Sequence, residues 1–245
     1  ATISLPYALA VSSVYLPWIS LFVIASFVAG LILGKVLGVH YRVAFLLSSG
    51  AAICGGTAMA AVAPIIKAKP HELLIAMTII FLLNAAAIII FPIVGNYLEM
   101  NNFEYGAWSA LAIHDTGSVI GSALIFSNES AQVAATLKLG RTIWLIPLIL
   151  IANWIFNKQA QATKFPRFIL FFLLAIIANT IFAFNEQIIN ILQISSQVFL
   201  LFGLFCIGSQ FNSSELKSIS GKPLILALML WAIVIPSAYF LVKYF

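Results

Sequence analysis

Val43–Ile66 reads VAFLLSSGAAICGGTAMAAVAPII and Tyr105–Asn128 reads YGAWSALAIHDTGSVIGSALIFSN. Each stretch is 24 residues of mostly apolar sequence, long enough for a helix across a ~30 Å hydrocarbon layer. Each is also interrupted at its middle. The first carries Ser48-Ser49-Gly50 and then Cys54-Gly55-Gly56-Thr57; the second carries His114-Asp115-Thr116-Gly117-Ser118. Paired glycines, hydroxyls and a charged residue are poor continuations of a helix, where Gly alone costs ~1 kcal/mol against Ala. Both segments are therefore predicted to be discontinuous. An arm of 10 or 11 residues rises ~16 Å, so both breaks reach the middle of the layer. Two geometries fit such a segment: a broken helix that crosses, or a re-entrant hairpin that returns.

Working outward, six further apolar runs frame these two: Tyr15–Gly34, Leu73–Leu98, Ala131–Phe156, Phe168–Phe184, Ile194–Phe211 and Leu224–Phe245. The 245 residues are 63% apolar and 8% charged, with 20 Phe, 7 Tyr and 5 Trp. A soluble domain carries about 25% charge, and disorder needs low hydrophobicity. An outer-membrane barrel would alternate in ~10-residue segments. The expectation is an all-α polytopic membrane protein: one transporter domain over residues 1–245, about eight membrane segments, two of them discontinuous or re-entrant.

The net charge of +5 does not point to nucleic acid, because the basic residues sit in short loops where they orient a membrane chain. If both broken segments are hairpins, Lys35, Arg42, Lys67, Lys69, Lys158, Lys164, Arg167, Lys217 and Lys222 share one side, and Lys243 lies opposite. If both cross, Lys67 and Lys69 change sides. The excess of Lys and Arg marks the cytoplasm, which favours hairpins whose tips enter from opposite faces. Cys54 and Cys206 read as small buried residues, far apart and without metal-ligand spacing. The chain starts Ala1-Thr2-Ile3-Ser4 without a basic region leading into a short apolar one, so no signal peptide is expected.

Asp115 is the only aspartate, and it falls at mid-membrane, where a carboxylate costs ~2.5–3.5 kcal/mol and marks a functional site by default. Its bland alternative is a structural partner for a buried cation. His114 can exchange a proton near neutral pH, or simply pack. Lys138 and Arg141 are three apart and share a helix face. Lys138 has the option of snorkelling to the interface, whereas Arg141, one turn deeper, needs a carboxylate, carbonyls or a wet cavity. Asp115 and Arg141 cancel, leaving Lys138 as a positive surplus that favours an anion. Second half-helices starting at Gly56-Thr57 and Gly117-Ser118 would aim N–H groups and positive dipole ends into the same region, as half-helices do in many secondary transporters. A purely structural pair of kinks is the alternative.

Enzyme readings fail on count, so no enzyme and no cofactor are expected. His71-Glu72-Leu73-Leu74-Ile75 starts like HExxH but has Ile75 in place of the second His. One aspartate does not make an aspartyl protease. Gly34-Lys35-Val36 lacks the hydroxyl of a phosphate loop, and Ser48 and Ser49 lie in no GxSxG context.

The run Ala52–Lys69 (AICGGTAMAAVAPIIKAK), followed by Ala112–Val119 (AIHDTGSV) and Lys138–Arg141 (KLGR), resembles the ICGASA…AVAPVIKAK, IHDTSxVV and KLTR motifs of the YeiH-like sulfate exporter family. Gly56, Thr57, Gly117 and Gly140 depart from that pattern. The last two lack the hydroxyls that are usual there. The resemblance implies a relation to bile acid:sodium symporters and cation/proton antiporters, an inverted-repeat fold, and a chain lacking some N-terminal helices of longer members. The expected substrate-binding set is Cys54, Gly55, Gly56, Thr57, His114, Asp115, Thr116, Ser118, Lys138 and Arg141. No metal centre is expected. The expected function is secondary transport of a sulfate-like oxyanion or sulfonate across the bacterial inner membrane. H⁺ or Na⁺ would be the coupling ion, the bilayer the surroundings, and a homo-oligomer is compatible. A passive anion channel or a sodium-coupled organic anion symporter are the alternatives.

Overall fold

The computed structural model describes residues 5–156 and 221–243, with isolated helical positions between 187 and 202. The expected segment Phe168–Phe184 and the reading of Cys206 lie outside the described residues. Only isolated helical positions of Ile194–Phe211 are described. The described chain is helical: α1 (Leu5–Val36), α2 (Tyr41–Ala52), α3 (Gly56–Val62), α4 (Pro70–Tyr97), α5 (Asn102–Ala112), α6 (Thr116–Phe126), α7 (Asn128–Thr142), α8 (Leu145–Phe156) and α9 (Gly221–Lys243). Among the described residues, four stretches are long and apolar enough to cross a membrane: Tyr15–Val36, Pro70–Tyr97, Asn128–Phe156 and Gly221–Lys243. Their length and composition are those of helices that suit a membrane.

The apolar run Ala131–Phe156 is two helices rather than one. Pro147 has no N–H to give, and its ring clashes with the carbonyl four residues back, that of Ile143. The chain responds with tight bonds from Trp144 N–H to Arg141 O (3.1 Å) and from Ile146 N–H to Ile143 O (3.2 Å), which separate α7 from α8.

Both interrupted segments fold back on themselves. His40, which precedes α2, places Nδ1 3.1 Å from Glu72 Oε1 in the first turn of α4, and Arg42 Nη1 lies 3.9 Å from Glu72 Oε2. Entry to the α2–α3 segment and exit from it are thus side by side. Glu72 also accepts the N–H of Lys69 at 2.7 Å, so the His71-Glu72 pair that opens like a protease motif serves as a helix cap. In the second segment the Tyr105 and Phe126 rings stack at 4.0 Å, and Tyr105 Oη lies 2.7 Å from Ser122 Oγ. Asn102 donates to the Glu129 carboxylate, and Ser130 Oγ donates to Asn102 O at 2.9 Å.

The two hairpins enter from opposite ends of the molecule. The base of α2–α3 adjoins the start of α4, and the base of α5–α6 follows its end at Tyr97. The first end also holds Phe156, stacked on Tyr41 at 6.1 Å. The second holds Tyr15 against Phe103 at 5.6 Å and Lys243, whose Nζ is 2.7 Å from Glu104 Oε1. Hydrogen bonding to Lys243 holds the Glu104 carboxyl below the usual carboxylate range. Charge leans the same way: Lys35, Arg42, Lys67, Lys69 and Lys222 with Glu72 at the first end, and Glu99, Glu104 and Glu129 with Lys243 at the second.

Candidate functional site

The hairpin tips meet. At the first, Gly55 N–H bonds to Gly50 O (2.9 Å) and closes the end of α2. Gly55 itself has φ +61 and ψ −124, a conformation that side chains other than hydrogen rarely permit. A Cβ on Gly55 would lie 3.3 Å from Asp115 Cα, and one on Gly56 would lie 2.8 Å from Phe81 Cζ of α4. The absent side chains let tip one touch both tip two and the centre of α4.

Ending α2 and α5 at this depth strands their last carbonyls, which in a soluble helix would turn to water. Two cations of α7 meet them. Arg141 donates from Nε to Ala52 O (2.6 Å), from Nη1 to Leu111 O (2.6 Å) and Ala110 O (3.1 Å), and from Nη2 to Ala51 O. Lys138 Nζ donates to Ile113 O at 2.7 Å and to Ala110 O at 3.4 Å. Both side chains are fully buried, and Phe22 places its ring 5.7 Å from the guanidinium carbon. Trp231 of α9 completes the set, donating from Nε1 to Ala112 O at 3.3 Å. Every carbonyl from Ala110 to Ile113 thus has a side-chain donor.

Asp115 is the N-cap of α6: Oδ2 accepts from Ser118 N–H (3.0 Å) and Ser118 Oγ (3.1 Å). The first intrahelical bond runs from Val119 N–H to Asp115 O, so the N–H groups of Thr116 and Gly117 precede the ladder at the positive end of the helix. Asp115, Thr116 and Gly117 are partly exposed. His114 is completely buried; its N–H donates to Asn84 Oδ1 at 3.2 Å. Cys54 is buried within charge range of Lys138, Arg141 and Asp115. Ten expected residues thus divide in two. Cys54, Gly55, Gly56, His114, Asp115, Thr116, Ser118, Lys138 and Arg141 gather around the tips, whereas Thr57 faces outward and is exposed.

The formal charges can be summed. Two cations and one aspartate leave about +1, because the negative C-terminal ends of α2 and α5 and the positive N-terminal ends of α3 and α6, about half a charge each, offset one another. The formal sum at the tips is therefore positive. Most cationic N–H groups already serve carbonyls, so further donors have to come from backbone and neutral side chains. Asn84, Phe81 and Trp231 escaped the sequence reading. A lone amide in the apolar run Leu73–Leu98 was the available signal for Asn84; for the other two there was none.

A family profile described as "Conserved hypothetical protein 698" matches residues 1–227. The chain is similar to a UPF0324 membrane protein of Bacteroides thetaiotaomicron, 38% identical over 87% of this chain and 66% of that protein. It is also similar to one of Vibrio parahaemolyticus, 39% identical over 95% of this chain and 76% of the relative. A third, from Bdellovibrio bacteriovorus, is 40% identical over 84% of this chain and 65% of its own length. The chain thus spans about two thirds to three quarters of these relatives. No solved structure matches it.

Proposed function

The chain belongs to the family described as conserved hypothetical protein 698, and from that premise we propose that it is a secondary transporter. Its cargo is a small anion, a sulfate-like oxyanion or a sulfonate, moved across the bacterial inner membrane with H⁺ or Na⁺. The observation that carries this is the meeting of two oppositely entering hairpin tips at Gly55 and Asp115, around a formal surplus of about +1 in the hydrocarbon. Irregular backbone at that depth is tolerated where it lines a cavity or is packed in protein. Half-helix ends that bind solute at the midplane are the working parts of many inverted-repeat transporters. The basic end bearing Arg42, Lys67 and Lys69 is the cytoplasmic one by the distribution of Lys and Arg.

Sodium coupling has one observation of its own. The Asp115 carboxylate and the Ser118 hydroxyl form a pair of oxygens on a partly exposed tip. With a bound organic anion that arrangement describes a sodium-coupled symporter.

Flux into proteoliposomes made from the full-length protein tests the assignment. Sulfate, sulfite, thiosulfate and organic sulfonates would be supplied with a pH or Na⁺ gradient. Asn caps helices as well as Asp does, so Asp115→Asn removes charge while preserving the cap. It should abolish gradient-driven accumulation. Unchanged coupled flux in that variant would sink the site, and unitary currents without a gradient requirement would identify a channel instead.

A further inference from the structure

We infer that Asn84 of α4 and the imidazole of His114 form the buried donor wall of the anion site, binding the oxygens of a small oxyanion; this rests on the transporter reading above. Asn84 sits at the centre of the 28-residue α4 and is 2% exposed, while His114 is 0% exposed. The His114 backbone N–H donates to Asn84 Oδ1, which fixes which way the amide faces. Asn84 Nδ2 is buried with no hydrogen-bond partner among the described residues, and neither ring nitrogen of His114 makes a well-formed hydrogen bond, the Ala51 carbonyl being the backbone group within reach of the imidazole. Buried polar groups are almost always satisfied, and the unmet Asn84 amide, beside an imidazole with one N–H to give when neutral, calls for a guest.

The chemistry of the vacant groups selects that guest. The Asn84 carbonyl oxygen already accepts from His114 N–H, so the wholly unmet part of this amide is its NH₂ with two donors. A cation such as Na⁺ needs several oxygens, and this amide has one, already engaged by a backbone N–H. An oxyanion offers several acceptor lone pairs, and the nearby charges of Lys138 and Arg141, which His114 also senses, favour it. Location agrees: one turn before Asn84, Phe81 lies against Gly56 of the other tip, so α4 touches both tips with adjacent turns of one helix. The α6 N-terminus follows His114 directly.

The test uses the full-length protein in detergent, with sulfate, sulfite and thiosulfate as probes and chloride as the reference. An anion that binds the folded state raises its unfolding temperature. Asn84→Asp keeps an acceptor for the His114 N–H but replaces the donor by an oxygen that repels anions. The expected result is oxyanion affinity weakened by roughly tenfold or more, the scale of one charge-assisted hydrogen bond. As a measurement independent of any variant's folding, wild-type protein carrying ¹⁵N-labelled histidine should show the buried His114 ring resonances moving on oxyanion addition, with those of His40 and His71 unmoved. If oxyanions stabilise wild type and Asn84→Asp equally, or leave the His114 ring unchanged, the donor wall is wrong while the transporter reading stands, and the unmet atoms hold water alone. If no oxyanion stabilises wild type, the anion-transporter reading fails and this assignment falls with it.

Discussion

Gly55 and Asp115 stand in contact across two hairpins: a Cβ on the glycine would lie 3.3 Å from the aspartate Cα. The contact exists because Gly55 adopts φ +61, and because Asp115, as an N-cap, is held in extended backbone with φ −86 and ψ 141. Each tip therefore sets the position of the other.

Gly55→Ala should accordingly cost ~1–3 kcal/mol of stability from backbone strain and remove transport. Gly121→Ala is its control. That glycine lies in α6 with nothing within 4 Å of a new Cβ, and the change should stabilise by ~0.5–1 kcal/mol. Thermal unfolding in detergent reads both, and a Gly55→Ala protein as stable as wild type would remove the strained tip from the account.

Arg141→Met leaves the carbonyls of Ala51, Ala52 and Leu111 without this donor. With an unsatisfied buried acceptor costing ~1–3 kcal/mol, the loss should be at least ~3 kcal/mol. Arg141→Lys should recover only part of it, since an ammonium is a compact charge without the planar fork that reaches several carbonyls. A melting temperature for Arg141→Met equal to that of wild type would refute the clamp.

Trp231→Phe deletes the indole N–H on Ala112 O while keeping most of the apolar surface. The expected loss is ~0.5–1.5 kcal/mol, and a comparable loss should follow Trp108→Phe, whose Nε1 donates to Ile235 O at 3.1 Å. If either variant melts at the wild-type temperature, its indole N–H is not contributing the bond to Ala112 O or Ile235 O that the structure places there.

Topology can be read by labelling single cysteines with an impermeant maleimide in a background without Cys54 and Cys206. Arg42→Cys and Lys69→Cys should react from one face of the membrane, and Asn102→Cys and Glu129→Cys from the other. Reaction of Arg42→Cys and Lys69→Cys from opposite faces would replace the first hairpin with a crossing helix.

The interruptions at Ser48–Thr57 and His114–Ser118 made the broken segments legible in the sequence, since glycine pairs and hydroxyls have a known cost in a helix. Opposed entry was legible too, more faintly, through Lys67 and Lys69. The partners of Lys138 and Arg141 were not. A buried cation in sequence signals only that it needs negative charge, and the carbonyls that answer lie up to 90 residues away, brought near by packing of α7 against α5 and α1. Asn84 carries no formal charge to mark it, and its importance comes from which of its atoms the backbone of His114 leaves unused. The break between α7 and α8 was written in Pro147, inside a run whose hydropathy concealed it.

The Arg141–Ala52 hydrogen bond links residues 89 apart, which sets an order of events during biosynthesis. At a synthesis rate of about 5–20 residues per second, the guanidinium leaves the ribosome roughly 4–18 s after the carbonyl it will serve. For that interval the tip of the first hairpin lacks the donor that serves its Ala51 and Ala52 carbonyls in the folded chain. The completed packing of this early segment therefore waits on the much later α7.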